Sequence, residues 1–362
     1  MPTVFFAFRD APDRRAALRN PGALDRYRLF GLDEVRARGA HVRHNLERDR
    51  PPSWARALGA AVNRALRAFG GYGGDFASTF ASLRAVNRAD VVFATADSLG
   101  LPLLLLKQAG LVRPPVVYTP IGLPERLVQV RRRRLYAGAL RRAQLIATYS
   151  QAEAEFLRGW IGSGVEIAFL PFGVDADAFR PRPGLEPETD VVSVGADPQR
   201  DFALLKTIAV RNPGVGFRIV ATADHLRALG PLPQNVEGES GLVLEAVRDR
   251  LASARVVALP VRRNSYSGAT TVLLQALALA KPVVVSRTDA IDRGYALEDG
   301  VNCRLVEPAD TDAFERALLE TLAEPGTLGA RARETVEREL TWQRYTGALW
   351  DMLSSAWARE GS

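Results

Sequence analysis

The amino-acid sequence predicts an α/β protein built from two doubly wound, Rossmann-like domains that face a cleft. Its 362 residues are enough for two domains of ordinary size. Hydrophobic residues make up 47% of the chain, so each half can bury a core of its own. In both halves, short apolar runs rich in β-branched residues alternate with amphipathic stretches, a pattern typical of parallel sheets covered by helices.

The first half contains four apolar runs that predict strands, each separated from the next by a helix-like stretch. The predicted strands span residues 4–8, 91–94, 115–118 and 145–148. A helix is predicted over 24–38 from the spacing of its apolar residues, and Gly39 ends it. The apolar stretch 91–106 contains Asp97 and Pro102 and is too short to span a membrane, so we interpret it as a strand, a turn and a helix.

The second half repeats this alternation. Its predicted strands span residues 191–194, 217–220, 256–259 and 283–285, with helices at 202–209, 242–252 and 271–280 and a helical tail over 312–357. The proline-dense segment 180–187 indicates a linker. We therefore predict a first domain over 1–175, a second over 176–340, and a terminal helix over 341–362 that packs back towards the first domain. Ligands of such sheets bind beyond the carboxyl ends of the strands.

Composition excludes several classes of protein. The chain has one cysteine, Cys303, so no internal disulfide can form, and its three histidines lie in no zinc-binding pattern. The N-terminal apolar run is too short for a signal peptide and leads directly into Arg9 and Asp10. We therefore expect a cytoplasmic protein.

Positive charge is concentrated in the first half. Residues 1–175 hold 26 Lys and Arg against 15 Asp and Glu, a net charge of +11, whereas residues 176–362 hold 22 against 26, a net charge of −4. The densest cluster is Arg131–Arg134, followed by Arg141 and Arg142. This cluster predicts either peripheral contact with the anionic inner face of the cell membrane or a solvated surface. Few aromatic residues interleave with it, which argues against nucleic-acid binding.

Several strings of the second half have a recognisable order. Residues 146–150 form a strand ending in Ser150, a helix follows, and a string of Gly173, Val174 and Asp175 continues to Phe179 and Pro181. Further strings lie at 194–195, 280–284, 299–302 and 306–310. Together they resemble family 4 glycosyltransferases, also called group 1, over nearly all of residues 145–350.

This resemblance implies the GT-B fold and a retaining transferase that needs no metal and no cofactor. The donor it implies is a nucleotide diphosphate sugar of the UDP or GDP type, bound by the second domain. The acceptor stays open among a glycan, a lipid-linked molecule and a small molecule. A role in polysaccharide biosynthesis would follow from a glycan acceptor.

Two segments are predicted to bind the donor diphosphate, because each places small residues and positive potential after a strand. The first contains Gly195 and Arg200, where the family usually has an Arg and a Lys and this chain has Ala196 at the Arg position. The second contains Gly268, Ala269, Thr270 and Thr271 at a predicted helix start. The alternatives are a solvated Arg200 and ordinary helix capping.

The chain departs from the family at two acids. Family members usually carry two Glu separated by seven residues, and alignment places Gln275 at the second and Ser267 at the first. Gln275 can still hydrogen-bond a ribose, whereas Ser267, the candidate catalytic residue at the first position, supplies no carboxylate.

On the acceptor side, Asp97 and Thr119 are candidate catalytic residues, although Asp97 equally fits a helix cap. The Asp-x-Asp string of Asp175 and Asp177 has the appearance of a metal site, but its place in the crossover string argues against that role. No pair of carboxylates suggests a hydrolase. Besides a transferase, the sequence allows a non-catalytic GT-B protein that binds nucleotide sugars or assists a transferase. A third alternative is an epimerase of the same architecture, but the carboxylates and histidines with which such enzymes work are missing from the predicted cleft.

Overall fold

A computed structural model of the chain describes residues 1–20, 22–264, 266 and 268–358. The chain forms two compact units. The first comprises Met1–Pro171 together with the chain from Tyr345 onward, and the second comprises Phe172–Arg344. The first division, after Pro171, lies four residues before the predicted one, and the second, after Arg344, lies four residues after the predicted one. The predicted linker 180–187 is an exposed loop within the second unit.

The first unit is built on a six-stranded parallel sheet with strand order β2-β1-β3-β4-β5-β6. Its strands are β1 (Thr3–Ala7), β2 (His41–His44), β3 (Val91–Ala94), β4 (Val116–Tyr118), β5 (Leu145–Thr148) and β6 (Glu166–Phe169). Its helices are α1 (Pro12–Arg19), α2 (Leu32–Ala37), α3 (Ser53–Ala68), α4 (Phe76–Val86), α5 (Asp97–Gln108), α6 (Leu123–Leu127), α7 (Arg133–Leu140) and α8 (Gln151–Ile161). The central strands β3, β4 and β5 are fully buried, as continuous apolar runs require in a sheet covered on both faces.

The helix predicted over 24–38 is broken in the structure. A 3-10 helix over Ala23–Leu29 is followed by Phe30 and Gly31 in the left-handed conformation, with φ of 51° and 88°, before α2 begins. Phe30 is the C-cap of the first segment, and Gly31, a residue type that adopts this conformation without steric cost, is the N-cap of α2. A side chain at Gly31 would also lie 2.9 Å from Leu349 Cδ2. The apolar spacing thus indicated helical content correctly but could not show the break.

The second unit contains another six-stranded parallel sheet, with strand order β12-β11-β10-β7-β8-β9. Its strands are β7 (Thr189–Gly195), β8 (Phe217–Ala221), β9 (Val236–Glu239), β10 (Ala254–Leu259), β11 (Val283–Ser286) and β12 (Arg304–Val306). Its helices are α9 (Phe202–Arg211), α10 (Ala223–Leu229), α11 (Leu244–Ala252), α12 (Thr270–Ala278), α13 (Thr311–Ala323) and α14 (Leu328–Glu339). A last helix, α15 (Trp342–Ala358), begins in this unit and continues into the first.

Both sheets confirm the predicted α/β class with two doubly wound domains. The crossover string is held within the second unit, because the Val174 amide donates to the Leu340 carbonyl at 2.9 Å and the Trp342 amide donates to the Val174 carbonyl at 2.9 Å. Within the described part of the chain, no helix combines the length and the apolar character needed to cross a membrane.

Candidate functional site

The loops that follow β7 and β10 are joined at the carboxyl edge of the second sheet. The Asp201 amide donates to the Pro260 carbonyl at 3.0 Å, and the Arg262 amide donates to the Gln199 carbonyl at 2.8 Å. The two segments that the sequence predicts to bind a diphosphate therefore form one structure, at the edge where ligands of doubly wound sheets bind.

The side chain of Arg200 is buried in this structure, with 3% of the residue exposed. Its Nη2 donates to the carbonyl of Val194, the penultimate residue of β7. Its Nε and Nη1 are also buried, and neither has a hydrogen-bond partner among the described residues. Burial lowers the pKa of Arg200 to about 10, so the guanidinium keeps its charge at neutral pH. A buried cation with two unused donors is costly unless an anion compensates it.

Gly195 makes room for this guanidinium. A Cβ atom at Gly195 would clash with Arg200 Nε, so any larger residue displaces the arginine side chain. The glycine that closes β7 and the arginine five residues later thus act as one unit, and the sequence pattern identified both.

The glycine loop before α12 packs against the loop after β7. The Tyr266 hydroxyl lies 2.8 and 2.9 Å from the two carboxylate oxygens of Asp197, and a Cβ at Gly268 would lie 2.8 Å from Asp197 Cγ. The Gln199 amide also donates to this carboxylate, at 2.8 Å. Asp197 was missed by the sequence analysis, and its place between Gly195 and Arg200 was the available signal. Ser267, the predicted catalytic residue of this loop, lies outside the described residues.

Helix α12 starts at this loop with Thr270 and Thr271. The first amides of a helix have no partner within the helix and carry a partial positive charge. Ala269 is the N-cap residue, and no side-chain cap hydrogen bond is formed at this helix start by the residues that the structure describes. Thr270 is buried, and its Oγ1 has no hydrogen-bond partner in the described structure. Thr271 is half-buried. Gln275 lies five residues into the helix and is buried.

In the first unit, Asp97 is the first residue of α5 and lies beyond the carboxyl end of β3. One carboxylate oxygen, Oδ1, accepts hydrogen bonds from the Tyr118 hydroxyl at 2.5 Å and from the Ile121 amide at 3.2 Å. The other, Oδ2, has no hydrogen-bond partner among the described residues and lies 3.5 Å from Arg126 Nη1. Burial raises the pKa of Asp97. The Arg126 guanidinium lies over the Tyr72 ring, 5.2 Å from its centroid, and is exposed.

A second buried carboxyl, Glu153, lies in α8 beside this group. It accepts a hydrogen bond from the Leu123 amide at 3.1 Å, and burial together with the charge of Asp97 raises its pKa well above the ordinary value. The sequence analysis did not single out Glu153, which lies three residues after Ser150, a spacing typical of a helix-capping box. Ser150 does cap α8, as its Oγ accepts from the Glu153 amide at 3.3 Å.

Two other predicted positions have hydrogen bonds within the fold. Thr119 is fully buried, and its hydroxyl donates to the Ala94 carbonyl at 3.2 Å, so the bond joins the ends of β3 and β4. Asp175 accepts from the amides of Asp177 and Ala178 at 3.1 and 3.0 Å and so stabilises a turn. Across the described residues, no three His, Cys, Asp or Glu side chains group closely enough to hold a metal ion.

The geometry brings Gly195, Arg200, Gly268 and the start of α12 together in the second unit, and places Asp97 and Thr119 beyond neighbouring strands of the first. Residues 200–324, which contain most of the first group, match the family model described as "Glycosyl transferases group 1". No curated protein matches the sequence significantly.

Solved structures with the GT-B fold match nearly the whole chain. Sucrose-phosphate synthase from Thermosynechococcus elongatus is 17% identical, with a TM-score of 0.74, covering 98% of this chain and 100% of that one. Anabaena HepE in complex with UDP-glucose is 15% identical, with a TM-score of 0.71 and the same coverage. Trehalose 6-phosphate synthase from Burkholderia multivorans is 15% identical, with a TM-score of 0.66, covering 99% of both chains. These matches confirm the predicted GT-B fold and the resemblance to group 1 glycosyltransferases.

Proposed function

We propose that this chain is a glycosyltransferase that takes its sugar from a nucleotide diphosphate sugar bound by the second unit. The observation that carries the proposal is the buried guanidinium of Arg200, whose Nε and Nη1 have no hydrogen-bond partner among the described residues. Support also comes from the group 1 match over residues 200–324 and from the likeness in fold to a structure described as a complex with UDP-glucose.

The donors of the site suit a diphosphate. Arg200 offers two donor nitrogens, Gly268 lets the backbone approach closely, and the start of α12 adds helix amides and the Thr270 hydroxyl. Hydrogen bonds between charged partners are roughly twice as strong as neutral ones, and they strengthen further where water is excluded. Gln275 is the candidate partner of the ribose.

In the proposed reaction, the bond between the anomeric carbon and the diphosphate oxygen breaks, and an acceptor hydroxyl oxygen bonds to that carbon. The departing diphosphate gains negative charge, which Arg200 and the helix amides stabilise. The hydroxyl proton passes to the departing diphosphate as attack occurs on the same face, so the configuration is retained. No metal is required, because the cationic and amide donors perform the role of the ion.

On the acceptor side, the proposal gives Asp97 a positioning role, which its contacts support. Its carboxyl is buried and holds Arg126 at 3.5 Å, so the exposed guanidinium of Arg126 is the group able to contact an acceptor. Thr119 uses its hydroxyl for a bond within the fold and is the weaker catalytic candidate. A glycan, a lipid-linked molecule and a small molecule stay open as acceptors, and membrane contact is part of the proposal.

A second candidate is a non-catalytic GT-B protein that binds nucleotide sugars. The observation favouring it is the residue set of the site: the chain has Gln275 where family members usually have a Glu, and the Asp197 carboxylate lies beside Gly268. Such a protein would bind the donor and transfer nothing.

Thermal unfolding with UDP, GDP and uridine tests the proposal, since a ligand that binds only the folded state raises Tm. We expect a nucleoside diphosphate to raise Tm more than its nucleoside does. The absence of any Tm increase at millimolar concentration would refute both candidates. Release of UDP or GDP from a panel of nucleotide sugars then separates transferase from binding protein. Activity that persists in EDTA would support metal independence, whereas an absolute requirement for Mg²⁺ or Mn²⁺ would contradict it.

A further inference from the structure

Helix α3 carries an exposed apolar stripe on the surface of the first unit. Trp54, Leu58 and Phe69 are 57%, 45% and 62% exposed, and the small side chains of Ala61 and Ala65, also exposed, lie between them. The spacing of four, three, four and four residues places all five on one face of the helix and its last turn. Two aromatic rings and a leucine in contact with water along one line are unusual for a solvated helix.

The opposite face of α3 is fixed against the fold. Ala55 and Gly59 are buried, and a Cβ at Gly59 would lie 2.7 Å from the Ala77 amide nitrogen in α4. This close approach holds the helix in place, so the apolar stripe is presented outward by a rigid element.

Arginines border the stripe along α3. Arg56, Arg64 and Arg67 are exposed. At about 100° per residue, Arg64 lies beside Ala61 at the edge of the stripe, whereas Arg56 and Arg67 lie farther round the helix on its third side. The helix therefore has three sides: one packed, one apolar and exposed, and one basic and exposed. This arrangement is typical of helices that lie in the plane of a membrane interface.

The arginine cluster identified from sequence adjoins the end of this helix. The Arg131 amide donates to the Gly70 carbonyl at 3.1 Å, and Arg132 Nε donates to the Phe69 carbonyl at 3.3 Å. The Arg132 guanidinium also lies over the Phe69 ring, 5.6 Å from its centroid. The α3 surface, defined here as the apolar stripe together with Arg56, Arg64, Arg67 and the exposed run 131–134, is thus continuous.

Acidic residues do not neutralise this surface. The sequence has no Asp or Glu from residue 50 to 74 or from 126 to 152. Among the described residues, none of the seven arginines forms an ion pair with a carboxylate. Positive charge and exposed apolar side chains therefore reach the solvent together.

We propose that the α3 surface docks the protein on an anionic lipid bilayer, with the apolar stripe inserted among the acyl chains near the headgroups and the arginines on the lipid phosphates. The arginines are complementary in charge to an anionic surface. The apolar stripe favours a bilayer over a nucleic acid, because a nucleic acid offers phosphates but no apolar layer. This docking does not depend on the donor site, and it would bring a lipid-linked acceptor to the first unit.

Co-sedimentation with vesicles tests the proposal. We expect the protein to bind vesicles that contain phosphatidylglycerol at low salt and to leave pure phosphatidylcholine vesicles unbound. The double variant R64Q/R131Q removes the arginine at the edge of the stripe and the one that packs against Gly70 at the end of the helix. It should bind about 30-fold more weakly, since an arginine near an anionic surface contributes about 1 kcal/mol. The matched control R316Q/R344Q removes two exposed arginines from the second unit and should bind like the wild type.

The apolar half of the surface has its own test. W54A/L58A should bind phosphatidylglycerol vesicles at least tenfold more weakly, whereas L111A, which truncates another exposed leucine of the first unit, should not. An unchanged Tm for each variant shows that it folds. Wild-type protein that stays in the supernatant at low salt would overturn the proposal. Vesicle binding by W54A/L58A that is as tight as that of the wild type would also overturn it. The same holds if the wild-type protein binds heparin and RNA but not vesicles.

Discussion

Replacing Arg200 by Met separates the binding role of this residue from a structural one. The side chain makes one hydrogen bond within the fold, from Nη2 to the Val194 carbonyl, while Nε and Nη1 have no hydrogen-bond partner among the described residues. Methionine fills a similar volume without charge. The variant removes the cation that is proposed to bind the diphosphate. In the ligand-free protein it removes one hydrogen bond, the one to the Val194 carbonyl.

The two effects differ in size. A hydrogen bond to a charged group contributes roughly 1.5–3 kcal/mol, so R200M should weaken UDP or GDP binding about 10- to 150-fold. In the ligand-free protein, the lost bond to Val194 is offset by removal of a buried charge that has two donor nitrogens without hydrogen-bond partners among the described residues, which is itself costly to bury. We therefore expect the free energy of unfolding without ligand to change by no more than about 2 kcal/mol.

Isothermal titration with UDP, GDP and uridine, together with urea unfolding, measures both quantities. Arg262 lies in the neighbouring loop and is exposed, so R262M is the matched control and should bind like the wild type. Uridine affinity should be nearly unchanged in R200M. An equal loss for diphosphate and nucleoside, or a fall of several kcal/mol in the stability of the ligand-free protein, would refute the reasoning and make Arg200 structural.

Three further predictions follow from contacts within each unit. G195A should weaken diphosphate binding as R200M does, because its methyl group would occupy the place of the Arg200 guanidinium; titration with UDP measures this loss. G100A should lower the free energy of unfolding by about 1–3 kcal/mol, because its methyl group would clash with the Tyr118 ring, whereas G159A, with open space in α8, should raise it slightly. The pKa of Glu153 is raised in the folded protein, so the free energy of unfolding is greatest below the ordinary pKa of a glutamate and falls as the pH rises through the pKa of the folded state. E153Q should flatten this decline, which urea unfolding at several pH values measures.

The central strands were predictable from sequence because burial on both faces makes them continuous apolar runs. Strands β3 and β5 match the predicted residues, and β4 differs by one. The edge strand β2 was missed because three of its four residues are polar and none is buried. The edge strand β6 was missed because it is a short run of three apolar residues after Glu166, of which only Ile167 is buried.

The candidate site was predictable where local sequence determines it. Gly195 and Arg200 lie five residues apart at the end of one strand, so their contact follows from a short loop. The pairing of Tyr266 with Asp197 was not predictable, because it joins loops that follow different strands of the sheet. Asp97 was identified as a residue, but its role in holding Arg126 depends on a contact between separate helices.

Charge balance at the second-unit site depends on burial as well as on the number of charges. Arg200 and Asp197 carry opposite charges, which would nearly cancel if both were equally exposed. Asp197 is half-buried and accepts from the Tyr266 hydroxyl and the Gln199 amide, so water and these donors reduce its field. Arg200 is buried, where charges are screened far less. The field at the start of α12 is therefore dominated by the cation and the helix amides, and the site favours an anion despite the neighbouring carboxylate.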